Sequence, residues 1–112
     1  MILDEKYVFH IPLCKYSNGK LVSIDIEDVL DDLISKLAEN SYENLYMIKA
    51  KGYYKSRCFD EILMTIYISS TPDKDQTLPN EIFEEWFKKN NDILEQESLG
   101  YEYNDRMTII EL

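Results

Sequence analysis

Alternating apolar and polar positions mark three stretches of the chain as strand-forming. The alternation runs from Glu5 to Lys15, occurs twice within residues 44–69, and returns from Tyr101 to Leu112. A two-residue period places every second side chain on the same face of a sheet. The short segment Lys55–Cys58 separates the two middle runs, so they are predicted to pair as an antiparallel hairpin.

Two other stretches have the period of a helix. Apolar residues three and four positions apart form one stripe from Ile26 to Leu37 and a second from Ile82 to Leu94, which predicts two amphipathic helices. Pro79 suits the first turn of the second helix, and Gly100 suits the stop that follows it. The polar segment Ser70–Thr77 between the strands and the second helix is predicted to be a loop.

The predicted elements follow the order strand, helix, strand, strand, helix, strand. Two right-handed strand–helix–strand units around a central hairpin make the ferredoxin-like β-α-β-β-α-β sandwich, in which a four-stranded antiparallel sheet carries both helices on one face. The length fits one α+β domain over residues 1–112. Ser17–Lys20 contains Asn-Gly and predicts a turn after the first strand.

The sheet face away from the helices is predicted to be more apolar than contact with water requires. The helices are expected to cover the side with Ile48 and Ile62, and the opposite side then carries Leu45, Met47, Tyr53, Leu63 and Tyr67. An apolar patch of this size on a small protein often marks an interface. A homodimer packed through this face is therefore predicted, the alternative being that these side chains suit strands and cover their own surface.

Acidic residues outnumber basic ones by 22 to 12, which gives a formal net charge of −10. Much of the excess lies on the two helices. Such a surface could dock a basic protein partner, whose approach a complementary field would accelerate. The alternative is that acidic side chains keep helix surfaces soluble. The residues predicted to bind a partner are Asp25, Glu27, Asp28, Asp31, Asp32, Glu81, Glu84 and Glu85.

A basic segment lies between Asn44 and Phe59. It interleaves cations with tyrosines, a mixture that binds single-stranded nucleic acid on some sheet surfaces. However, it lacks the RNP1 pattern, and the net charge repels polyanions, so nucleic acid is predicted not to be a partner. A small anionic ligand, or pairing with the acidic face of a second subunit, fits better than nucleic acid, and simple solvation of the hairpin is favoured over both. The residues predicted to contact such a ligand are His10, Lys49, Lys51, Lys55 and Arg57.

His10 is the one histidine, and it shares a strand face with Cys14. Four strand residues separate them by about 13 Å, too far for shared metal coordination. No metal and no cofactor are predicted, because the sequence holds no C-x-x-C, phosphate loop, G-x-S-x-G or HExxH motif. Nucleophilic catalysis by Cys14 or Cys58 with His10 as base stays open. If the chain forms a pocket at the sheet, its expected lining is Tyr7, Tyr46, Tyr54, Tyr67 and His10.

The setting expected from the sequence is a reduced cytoplasm. The first residues do not combine a basic start with a long apolar run, so no secretory signal is predicted. No apolar run is long enough to span a membrane. The two cysteines are too few for a disulfide framework.

The order of elements and the segments Ala50–Arg57 and Gln96–Leu99 resemble those of small uncharacterised bacterial domains of the ferredoxin-like type. The resemblance implies the sandwich and dimerisation. It implies no catalytic residue, because that family has no assigned activity.

These observations favour binding over catalysis. The leading interpretation is a non-enzymatic acidic protein that recognises another protein, in its most concrete form an immunity protein or an anti-defence inhibitor that mimics nucleic acid. The alternative is a small-molecule-binding or enzymatic homodimer of the dimeric α+β barrel type, with a pocket at the sheet. Fold analogy alone does not decide between them.

Overall fold

A computed structural model describes residues 2–69 and 76–112 of the chain. Most of the predicted loop Ser70–Thr77 lies outside these described residues. The described residues form seven strands and two helices, which in chain order are β1 (Glu5–Pro12), β2 (Cys14–Ser17), β3 (Lys20–Ser23), α1 (Glu27–Glu39), β4 (Leu45–Tyr54), β5 (Arg57–Ile68), α2 (Pro79–Leu94), β6 (Ser98–Tyr103) and β7 (Arg106–Glu111).

Five of these strands form one antiparallel sheet in the order β4-β5-β1-β6-β7, and β2 pairs with β3 in a separate two-stranded sheet. The predicted α+β class is confirmed. The predicted four-stranded ferredoxin-like sandwich is wrong, because the described residues form seven strands in two sheets. The first and last predicted strands both continue into hairpins that the alternation alone did not separate.

Three two-residue turns close the hairpins, and two of them, Asn18-Gly19 and Asn104-Asp105, lead into strands that were not predicted. The central residues of each turn have positive φ: Asn18 and Gly19, Lys55 and Ser56, Asn104 and Asp105. Turns with two positive φ values match the twist of the strands they join and favour tight hairpins. Asn-Asp at positions 104–105 therefore reverses the chain inside the predicted last strand and creates β7.

The helices and one face of the large sheet enclose the core. Phe83 of α2 stacks on Phe9 of β1 with ring centroids 4.3 Å apart, and Trp86 lies against Phe83 at 5.6 Å. The Trp86 indole N–H donates to the Val29 carbonyl of α1 over 2.6 Å, which joins the two helices. All four side chains are buried. Neither helix in the described part of the chain is long and apolar enough to cross a membrane.

The register of β4 corrects the predicted sheet faces. Leu45 pairs with Ile66 and Met47 with Met64 on the helix-covered side, whereas Ile48 pairs with Leu63 on the other side, which we call the open face. Of the five residues predicted on one face, Leu63 and Tyr67 lie on the open face. Leu45, Met47 and Tyr53 lie on the covered side. Both sides of β4 carry large apolar residues, so its pattern does not define the phase, and a one-residue error exchanges the two faces.

Strands β4 and β7 are the two edges of the large sheet. Lys49 and Lys51 occupy the middle of β4, so charge is present along that edge. In β7 the charged residues Arg106 and Glu111 stand only at the two ends, with Met107–Ile110 between them. Charged side chains discourage an edge strand from pairing with another chain, and the two edges therefore differ in this protection.

Candidate functional site

A histidine between two carboxylates lies at the centre of the open face. The Nε2 atom of His10 is 2.7 Å from a carboxylate oxygen of Glu102, and its Nδ1 atom is 3.4 Å from one of Glu61. The three side chains are between 16% and 29% exposed. We call these three residues the His10 cluster.

Strand register brings the cluster together. His10 lies on β1, the middle strand, and pairs with Leu63 of β5. Glu61 is two positions from Leu63, and Glu102 of β6 pairs with Val8, two positions from His10. Residues displaced by two positions on neighbouring strands share a face and lie within reach of long side chains. Both glutamates therefore extend toward the imidazole from opposite sides.

The cluster adjoins a cavity of about 590 Å³, which we call the hairpin cleft. His10 and Glu61 lie at the open-face floor. The β2–β3 hairpin and the segment between α2 and β6 supply side walls. The polar, ionisable and aromatic side chains that line the hairpin cleft include those of His10, Cys14, Tyr16, Tyr54, Phe59, Glu61 and Gln96.

Gly52 makes room for one aromatic wall of the cleft. It pairs with Phe59 across the β4–β5 hairpin. A Cβ atom at position 52 would lie 2.5 Å from the Phe59 ring, far inside van der Waals contact. The glycine therefore lets the Phe59 ring lie across the backbone of β4, where it lines the cleft.

The β2–β3 hairpin is attached to the rest of the cleft by polar contacts. The Gln96 side-chain amide donates to the Cys14 carbonyl over 3.0 Å, and Lys15 forms an ion pair with Glu95. The Arg57 guanidinium lies over the Tyr16 ring, 4.8 Å from its centroid. These contacts fix the wall that the hairpin contributes.

The structure separates the predicted anion-binding residues. Of that set, His10 lines the hairpin cleft, and Arg57 contacts it indirectly through Tyr16. Lys49 and Lys51 lie on the other side of the sheet, where Lys51 pairs with Asp60 at 3.0 Å. Lys55 occupies a turn and lies over the ring of Tyr54.

The predicted acidic surface lies apart from the cleft. Asp25, Glu27, Asp28, Asp31 and Glu85 are exposed on or next to the helices. Three others have internal partners: Asp32 pairs with Lys89, Glu84 with Lys88, and Glu81 accepts from the backbone N–H of Leu78 at the start of α2.

The tyrosines predicted to line a pocket lie in different parts of the structure. Tyr54 lines the cleft, whereas Tyr7 is buried under the helices. Tyr46 and Tyr67 lie on the open face, with ring centroids 6.0 Å apart, but outside the cleft lining. Sequence reasoning missed Glu61, Glu102, Phe59 and Gln96. The alternation of each strand indicates which residues share a face with Glu61 or Glu102. It points to His10 only when the pairing of these strands with β1 is known.

Cys14 lines the cleft, but its environment disfavours nucleophilic chemistry. Burial raises the pKa of the Cys14 thiol, which reduces the thiolate form that attacks. Its sulfur lies 3.7 Å from the Asp60 carbonyl oxygen, to which the thiol donates. Cys58 is exposed on the covered-face side of the β4–β5 hairpin. Residues 2–69 and 76–112 contain no group of three or more His, Cys, Asp or Glu side chains that could hold a metal ion.

The sequence matches no known family model and no curated protein, but the fold matches solved structures. A phage SAM lyase in complex with S-methyl-5′-thioadenosine superposes with a TM-score of 0.63 at 15% identity, over 96% of this chain and 89% of that chain. A phage SAM lyase in the apo state gives a TM-score of 0.56 at 17% identity, with the same coverage. The chain therefore shares the fold of these structures over most of its length.

This finding corrects the functional interpretation of the sequence. The prediction of a non-enzymatic, nucleic-acid-mimicking inhibitor is wrong, because the structures that share the fold are of an enzyme. The alternative prediction, an enzymatic chain with a pocket at the sheet, fits better. Net charge led to the error because it governs solubility and association, and it does not reveal the local grouping of side chains. The homodimer stays a prediction.

Proposed function

We propose that this chain binds S-adenosylmethionine (SAM) in the hairpin cleft and cleaves it to release S-methyl-5′-thioadenosine. The observation that carries the proposal is the cleft itself, a cavity of about 590 Å³ with aromatic walls and a carboxylate on its floor. It occurs in a chain that superposes over 96% of its length on a SAM lyase holding that thioadenosine.

The walls suit a purine nucleoside. Tyr16, Tyr54 and Phe59 line the cleft from three different strands, and aromatic rings offer flat surfaces on which a base can stack. Pockets for small molecules commonly measure about 300–1,000 Å³ and combine apolar walls with a few polar groups. The cleft has both properties.

The charges suit a cationic ligand. SAM carries a sulfonium, and Glu61 and Glu97 present carboxylates to the cleft. Lys15, which also lines it, is neutralised by its ion pair with Glu95. The net charge of −10 adds a long-range field that attracts cations.

Cleavage breaks the bond between the sulfonium sulfur and the γ-carbon of the amino-acid portion, and the electron pair moves to sulfur. A lyase adds no water, so the four-carbon fragment completes its valence from its own groups. Either its carboxylate closes a ring on the γ-carbon, or its β-carbon gives a proton to a base and forms a double bond. Glu61 supports the first route by holding the ammonium group and the second by accepting the proton. Both routes cancel the sulfonium charge against a carboxylate, which is that of the substrate in the first route and that of Glu61 in the second.

The direct test is incubation of the purified chain with SAM, followed by mass spectrometry of the products. We expect one thioadenosine for each SAM consumed, and the mass of the second product identifies the route. Glu61→Gln should lower the rate by about 100-fold. Glu85→Gln, the same change on an exposed helix position, should leave it unaltered. Absence of thioadenosine from the wild-type reaction would overturn the proposal.

The site of binding has its own test. Cys14 lines the cleft and Cys58 lies outside it, so the two thiols provide a probe and an internal control. S-methyl-5′-thioadenosine should slow alkylation of Cys14 and leave alkylation of Cys58 unchanged. Equal rates with and without the nucleoside would place binding elsewhere.

A further inference from the structure

The His10 cluster contains two residues that the proposed reaction does not use directly, His10 and Glu102. We propose that His10 is a positioning residue, which orients the Glu61 carboxylate toward the hairpin cleft while Glu102 fixes the imidazole ring from behind. This inference rests on the proposed function, because it assigns Glu61 the contact with substrate.

Hydrogen bonding sets the direction of the ring. A carboxylate only accepts hydrogen bonds, so Glu102 requires a hydrogen on the Nε2 atom of His10, 2.7 Å away. This contact turns the Nδ1 edge of the ring toward Glu61, whose oxygen is 3.4 Å distant. Because Glu61 also only accepts, its pairing with the ring requires a hydrogen on Nδ1 as well. The ring therefore stands between a closely bonded carboxylate and a more loosely held one.

Glu61 needs such a neighbour. Its side chain is 16% exposed, and a carboxylate removed from water is costly unless a partner compensates it. Among the ion pairs of the described residues, Glu61 contacts His10 and no lysine or arginine. The imidazole, when it carries a hydrogen on Nδ1, is therefore the partner of Glu61 among these ion pairs.

The strands that carry the His10 cluster form a rigid framework. Its three members lie on three adjacent strands of the large sheet, with β1 paired on both sides. Groups on paired strands hold their geometry better than groups on loops. Loss of the imidazole should therefore release Glu61 without unfolding the sheet around it.

Kinetics test the role of His10. We expect His10→Gln to lower kcat for thioadenosine release by about 100-fold, the size of effect that follows a misplacement of about 1 Å, with a much smaller change in KM. Glu102→Gln, which keeps an acceptor and loses the charge, should lower kcat less. Lys6→Gln is the matched control, because Lys6 lies on the same face of β1, pairs with Asp105 and does not line the cleft.

Wild-type kcat in folded His10→Gln would overturn the positioning role. A rise in KM with unchanged kcat would also overturn it, because His10 would then stabilise the bound substrate and the transition state equally. Circular dichroism of each variant establishes that it is folded, and Glu102→Gln provides the kinetic answer if His10→Gln does not fold.

A spectroscopic test does not depend on activity. Since His10 is the single histidine, its two ring nitrogens give unambiguous signals in ¹⁵N-labelled protein. We expect Nε2 to carry a hydrogen in the wild type and to lose that preference in Glu102→Ala. An unprotonated Nε2 would overturn the arrangement whatever the enzyme assay shows. If the wild type forms no thioadenosine while Nε2 is protonated as expected, the proposed function fails and the cluster geometry stands.

Discussion

The two faces of the large sheet show how one strand serves two purposes. On the covered face, Phe9 stacks on Phe83, and the core around them is apolar. On the open face, the very next residue of β1, His10, is held between two carboxylates. Because strand side chains alternate, stability and chemistry are separated by a single residue. A substitution on one face should therefore affect folding, and one on the other face should affect the reaction.

The largest expected effect is on the covered face. Phe83→Ala removes a fully buried ring from the stack with Phe9 and Trp86, and the cavity should lower the free energy of unfolding by about 4 kcal/mol. Urea denaturation measures this loss. Ile48→Ala on the open face, where the side chain is 62% exposed, should cost less than about 1 kcal/mol. Similar losses for the two variants would contradict the division between the faces.

Alkaline pH provides the next test of the covered face. Burial raises the pKa of Tyr7 to about 12, whereas an exposed tyrosine in the unfolded chain titrates near 10. Between these values the unfolded chain binds fewer protons than the native one. Stability is therefore complete below pH 10 and falls by about 2–3 kcal/mol as the pH rises to 12.

Tyr7→Phe should flatten this decline, which denaturation curves between pH 9 and pH 12 would detect. An unchanged pH dependence would show that other groups cause it. Burial also raises the pKa of Tyr42, so Tyr42→Phe should remove a further part.

The smallest expected effect sharpens the boundary of the open-face site. Gln96→Ala removes the amide contact with the Cys14 carbonyl, which should cost about 1 kcal/mol. We expect faster hydrogen exchange in the β2–β3 hairpin and a several-fold weaker affinity for S-methyl-5′-thioadenosine. Gln76→Ala, a glutamine that contacts Asn40 instead, is the matched control. Equal exchange in both variants would mean that Gln96 does not hold the hairpin.

The sequence predicted local structure better than it predicted pairing. Both helices follow from their apolar stripes, since one helical face had to be buried whatever its partner was. The predicted turn at Asn18-Gly19 is present, but the strand after it was not predicted. Asn104-Asp105 reverses the chain into a second strand that was not predicted. The phase of β4 could not be derived, because residues of similar size occupy both of its faces.

The candidate site was predictable only in part. His10 and Tyr54 were named from their residue types, and both line the cleft. Glu61 and Glu102 were missed because they lie 51 and 92 positions from His10 in the sequence. Their approach to the imidazole depends on the register of three strands, which no local pattern encodes.

The unequal edges of the sheet bear on how the protein behaves at high concentration. Backbone N–H and C=O groups on an edge strand can pair with another chain, and lysines in mid-strand discourage this. β4 has that protection, and β7 lacks it over Met107–Ile110. Aggregation by strand pairing between molecules should therefore begin along β7, and the substitution Thr108→Lys should delay it.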